Sequence, residues 1–118
     1  MNDTQVEQVI QAKSLNVAPR VTKEHIDALM ARVAYLFNQP EGTTSTLAHA
    51  FLDGTFLLAT GHSACVSREN FNAELGRQMA REQAEEKARG ELWKLEGYAL
   101  RAKLAAAVVA CGGKYLPH

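Results

Sequence analysis

Residues 47–66 read LAHAFLDGTFLLATGHSACV, and the pair at the centre, Asp53-Gly54, organises the reading of the chain. Asp followed by Gly between apolar runs is the strongest short hairpin signal, because both central residues of a type I′ turn need positive φ. A two-residue turn pairs Leu52 with Thr55, Phe51 with Phe56, Ala50 with Leu57 and His49 with Leu58. That register places Phe51, Phe56 and Leu58 on one face, the expected core face. The second strand is expected to run on towards Val66, with Gly61 as a bulge or bend.

Upstream of the hairpin the apolar period is helical. Thr22 is a good N-cap, and Val21 and Ile26 sit where a hydrophobic staple needs them. Ile26, Leu29, Met30, Val33, Leu36 and Phe37 recur at intervals of three and four, which predicts one helix stopped by Asn38 and Pro40. Gln39 to Thr46 reads as a polar loop. Earlier still, Thr4 with Glu7 resembles a capping box, so a short helix is expected over Thr4 to Leu15. Asn16 to Arg20, with Pro19, reads as a break.

Downstream, Ser67 is expected to cap a long helix reaching Glu96, with Glu69 in its first turn. Phe71, Leu75 and Met79 make an apolar stripe. Ala73, Gly76, Ala80, Ala84 and Ala88 make a small-residue stripe that lets another helix approach closely, unless these alanines are present only as good helix formers. Arg81 with Glu85, and Glu85 with Arg89, are favourable i,i+4 pairs. Gly97 reads as a hinge, a helix end or a tolerated interruption. A last helix carries Leu100, Leu104 and Val108 and ends at Gly112-Gly113. The expected architecture is therefore α+β, mostly helical with one antiparallel β-hairpin and a long C-terminal helical arm. Residues 1–20 form an arm, residues 21–112 one domain, and residues 113–118 a tail.

Composition narrows the function classes. At 118 residues one domain is expected, since two would each be short of core. The apolar content of 47% with 22% charged residues is ordinary globular usage and argues against wholesale disorder. Thirteen Lys and Arg balance thirteen Asp and Glu, which disfavours a protein that coats nucleic acid. No apolar run approaches the roughly 20 residues of a membrane helix. Met1 to Gln11 is polar and acidic, unlike a signal peptide. A cytosolic setting is expected, with Cys65 and Cys111 as free thiols.

Most catalytic patterns fail on spacing. Gly61-His62-Ser63-Ala64-Cys65 has Cys65 where a nucleophile elbow requires Gly. A downstream triad histidine is missing, since only the terminal His118 follows Ser67. His62 with Cys65 lacks a second ligand pair, so a structural role is expected for His25, His49 and His62. Glu82, Glu85 and Glu86 are flanked by Arg81, Lys87 and Arg89 and read as a neutralised surface. No phosphate-loop or dinucleotide signature is present. Two features point to binding instead. Ser63, Ser67 and Arg68 lead into a helix start, where N–H groups and the dipole suit an anion, with Arg77 and Arg81 further along, one turn apart on one face. Trp93 and Tyr98 are amphipathic anchors suited to an interface.

Several of these strings together carry a resemblance. Val21-Thr22, Gly61-His62-Ser63-Ala64-Cys65-Val66, Asn70-Phe71-Asn72-Ala73-Glu74-Leu75-Gly76-Arg77, Ala80-Arg81-Glu82 and Leu92 to Leu100 resemble the gene-product-forty-nine-like family of small tailed-phage proteins. The likeness spans Arg20 to Leu104. Lys87-Ala88-Arg89-Gly90 departs from the family pattern as about one extra helical turn. The resemblance implies a phage-encoded accessory protein. No enzymatic activity, cofactor or metal is expected of the chain, and the host bacterial cytoplasm is its expected setting.

Three functions follow as expectations. The first is binding and inhibition of a host protein, including a defence protein, through Trp93 and Tyr98. The second is sequestration of a phosphate-bearing nucleotide signal at an oligomer interface through Ser63, Ser67, Arg68, Arg77 and Arg81. The third is a DNA-binding regulator, which the zero net charge weakens. A lone hairpin is marginal, so a homo-oligomer is expected to cover it.

Overall fold

The computed structural model describes residues 19–110. The expected Thr4–Leu15 helix, Cys111 and the 113–118 tail lie outside these residues. The first described helix, α1 (Lys23–Met30), is capped as its sequence predicts, with the His25 amide donating to Thr22 Oγ1 at 3.1 Å. It ends much earlier than expected. Ala31-Arg32 form a turn, and Val33–Asn38 are a strand, β1. The helical reading of Val33, Leu36 and Phe37 is thus corrected. In Val33-Ala34-Tyr35-Leu36-Phe37 a period of two competes with a period of four, and β-branched and aromatic residues favour the pleat.

Three strands follow one another in antiparallel order, β1, β2 (Ser45–Leu52) and β3 (Phe56–Ala64). The expected single hairpin is therefore two-thirds of a sheet. Asp53-Gly54 makes the turn as predicted, with φ of 55° and 74°, the left-handed values that Asp tolerates and Gly favours. The Thr55 amide donates to the Leu52 carbonyl at 3.2 Å. Arg32 and Asp53 form a bidentate pair beside the turn, and that bonding holds the Asp53 carboxyl below its usual range.

The register differs from the expectation. Leu52 faces Phe56 and Phe51 faces Leu57, while Ala50 faces Ala59. Leu58 is the extra residue of a bulge, and it is buried. One residue of slip exchanges the two faces of a strand. Thr46, Ala48 and Ala50 are the buried row of β2, whereas Phe56 is 54% exposed.

The slip is explained by what the sheet packs against. The long helix α2 (Ala73–Ala110) presents Ala80, Ala84 and Ala88, all fully buried. The small-residue stripe thus accepts a sheet, where another helix was expected. Gly61 sits at the closest point. A Cβ there would stand 2.0 Å from the Ala80 carbonyl oxygen and 2.5 Å from the Ala84 nitrogen. Only small side chains fit between surfaces this close, so Ala48 and Ala50 face the helix and Phe51 faces away. Such an interface gains from close atomic contact more than from bulk apolar area.

The start of α2 also differs from the expectation. Arg68–Asn70 form a short 3-10 turn, and Ser67 makes no side-chain cap bond. The cap of α2 is Asn72, whose Oδ1 accepts from the Leu75 amide at 3.1 Å. Gly97 neither ends nor divides the helix, which is continuous through it. The described chain falls into two compact units. Asp27–Leu92 form one, and Ile26 with the residues before it, together with Trp93 and those after it, form the other. The face of the sheet away from α2 carries a bonded chain across all three strands. His49 lies 3.0 Å from Asn38 Oδ1 and 2.9 Å from Thr60 Oγ1. The Asn oxygen only accepts, so Nε2 donates to it; in the neutral ring Nδ1 then accepts from the threonine hydroxyl.

Candidate functional site

The two sides of the sheet meet α2 differently, and one of them leaves a groove. In β1, Tyr35 and Phe37 stand opposite Ala50 and Ala48, so their side chains share the helix-facing surface of the sheet. On α2, Arg77 and Arg81 are one turn apart and look towards the same strand. The Arg81 guanidinium carbon lies 4.9 Å from the centre of the Tyr35 ring, a cation–π contact. Next to it, Phe37, Asn38, Gln39, Thr46, Ala73 and Arg77 line a cavity of about 230 Å³.

The groove is cationic. Neither Arg77 nor Arg81 forms an ion pair among the described residues. Ala73, the first residue of α2, lines the cavity, so the positive end of the helix dipole lies beside it. Further along, Arg89 is bonded to Asp27 at 2.9 Å. Burial pushes the Tyr35 hydroxyl above its usual range and Glu85 adds to this, while Arg81 and Arg89 oppose it. Tyr35 is therefore a neutral phenol at physiological pH, held under a guanidinium. Chemically the groove offers two guanidinium groups and a partly exposed Phe37 ring, with the buried Thr46 in its wall; the Asn38 side chain is turned to the other face of the sheet, towards His49. That set suits a ligand with a phosphate and a flat ring.

The other residues singled out from sequence are dispersed. Ser63 donates its hydroxyl to the Gly76 carbonyl at 2.7 Å, tying β3 to α2. It borders a separate, mostly apolar cavity of about 170 Å³ with Cys65, Phe71, Leu75 and Met79. The carbonyl of Ser67 accepts from the Cys65 thiol at 3.1 Å. Arg68 donates to the Gly42 carbonyl at 2.8 Å. Ser63, Ser67 and Arg68 therefore do not line the groove that holds Arg77 and Arg81. Trp93 is half-buried and Tyr98 is 71% exposed. Sequence reasoning missed Tyr35, Phe37 and Asn38 because it assigned Val33 and Phe37 to a helix and ended that helix at Asn38. The alternation Val33, Tyr35, Phe37 was the signal that would have found them. Among the described residues, no three His, Cys, Asp or Glu side chains gather as metal ligands, and no helix is long and apolar enough to cross a membrane.

Comparison with known proteins agrees with the resemblance read from the strings. Residues 21–104 match the model of the phage protein (N4 Gp49/phage Sf6 gene 66) family. No curated protein and no solved structure matches the chain significantly. The match covers well over half of the sequence, and the chain belongs to that phage family.

Proposed function

We propose, taking membership of this phage family as the premise, that the protein is a non-catalytic binder that sequesters a phosphate-bearing small molecule, a nucleotide signal of the infected cell. The observation that carries the reading is the groove between β1 and α2, where Arg77 and Arg81 stand beside Phe37 and Tyr35 and neither forms an ion pair among the described residues. Phosphate oxygens bind the two guanidinium groups, and a base lies against the Phe37 ring. Charge-assisted bonds of this kind are about twice as strong as neutral ones. Among the described residues the groove pairs no nucleophile with a general base, and the reading is of a ligand held without being transformed.

Calorimetry against a panel of cyclic and adenine-ribose nucleotides tests this. Micromolar heat with at least one member is expected, and Arg77→Ala with Arg81→Ala should weaken it at least tenfold while circular dichroism stays unchanged. An absence of heat across the panel removes the reading.

A second reading, inhibition of a host protein, rests on another region. Tyr98 and Leu95 are exposed on α2, and Trp and Tyr are among the side chains enriched at interface hot spots. On this reading Tyr98→Ala or Trp93→Ala abolishes capture of the host partner without unfolding the domain. Retained capture counts against it.

A further inference from the structure

The main-chain bonding of the sheet is asymmetric at its two edges. In the β2–β3 ladder the Cys65 amide donates to the Thr44 carbonyl. Alternation then turns the peptide groups of Thr60 and His62 outward, away from β2. Both are met by α2. The Gln83 side chain accepts from the His62 amide at 2.7 Å, and Lys87 Nζ reaches the Thr60 carbonyl at 3.5 Å. At the opposite edge the Asp53 amide donates to the Arg32 carbonyl. The same alternation points the peptide groups of Val33, Tyr35 and Phe37 outward. Nothing among the described residues bonds to them.

Exposed edges are normally blunted by charge, proline or a bulge. β1, Val-Ala-Tyr-Leu-Phe-Asn, has no charge and no proline. Its register with β2 is free of bulges. Leu36 is 61% and Phe37 40% exposed.

We infer that β1 is a pairing edge, and that its occupant is β1 of a second copy of this chain, antiparallel across a two-fold axis at Tyr35. That centre is the register that uses all three outward residues: Val33 of each copy faces Phe37 of the other, and Tyr35 faces Tyr35. The charges on α2 agree with it. Arg77 borders the Phe37 end of the strand, Arg81 covers Tyr35, and Glu85 lies beyond it. Rotation about Tyr35 therefore brings Arg77 of one copy towards Glu85 of the other. The product is a continuous six-stranded sheet, and a two-fold contact closes the assembly at two. This inference rests on the open edge of β1 and does not need the ligand reading, although the two share Arg77.

Native mass spectrometry should give twice the 12.9 kDa chain mass. Hydrogen exchange, read residue by residue, then tests the edge. At high concentration the amides of Val33, Tyr35 and Phe37 exchange slowly. On dilution they speed up, while Ala34 and Leu36, bonded to β2, stay slow. Val33→Pro removes only an outward amide, so it should yield a monomer with Ala34 and Leu36 still protected. A monomer at high concentration overturns the inference. So does a dimer in which Val33, Tyr35 and Phe37 exchange rapidly, and that result needs no variant to fold.

Discussion

Both flanks of the sheet lie over the same helix, yet one is closed and the other open. On the β3 side the contact is backbone to backbone at Gly61, with Ser63, Gln83 and Lys87 bonded across. On the β1 side long side chains, Arg77, Arg81, Tyr35 and Phe37, stand between strand and helix and leave a cavity. The difference comes from the alanine row of α2, which lets the helix sink under β2 and β3. About a quarter-turn round the helix cylinder, arginines replace alanines, and the approach is held off. Stability and binding are thus assigned to different flanks of one interface.

The largest expected effect breaks the closed flank. Gly61→Ala puts a methyl into the α2 backbone, where no flexible side chain can give way. Forced overpacking of this kind costs about 3 kcal/mol, and more where backbone must move. Chemical denaturation should show that loss, whereas a loss near zero would mean that sheet and helix are not in contact at Gly61.

A smaller effect is expected at Gln83. Gln83→Ala leaves the outward His62 amide to water and should cost about 1 kcal/mol. The same measurement on Arg77→Ala should show a change within roughly 0.5 kcal/mol, because surface changes away from packing are usually small. Equal losses at the two positions would erase the distinction between closed and open flanks.

The smallest effect sharpens the open flank. Tyr35 should titrate above the ordinary range for tyrosine, because burial opposes the phenolate. A raised folded pKa means the folded state holds the proton more tightly. Its stabilising contribution is therefore complete below the unfolded tyrosine pKa and is lost as pH rises through the folded one. Arg81→Ala removes a group that favours the phenolate, so it should raise the Tyr35 midpoint further. An unchanged or lower midpoint in a spectrophotometric titration would place Arg81 away from the ring.

Much of the local structure was legible. The Thr22 cap, the Asp53-Gly54 turn and a long helix with a small-residue stripe were all read from sequence and are all present. So was membership of the phage family. The errors have identifiable causes. Val33 to Phe37 satisfied two periods, and the choice between them is made by partners on β2 rather than by the strand's own residues. Ser67 and Asn72 are both good caps, and only Asn72 stands three residues before an amide that is bonded to it. Of the candidate groove, Arg77 and Arg81 were found as a pair one turn apart, but the aromatic wall opposite them was hidden with β1.

What the sequence determined by itself are the features decided within a few residues. A turn needing positive φ, a hydroxyl at a helix start and alanines repeating at helical spacing are short-range matters. Register, face and the position of the groove were decided only by tertiary structure. A strand shifted by one residue is locally as good as before. Which register holds is set by the Gly61 contact, where a helix 19 or more residues further along the chain leaves no room even for a Cβ.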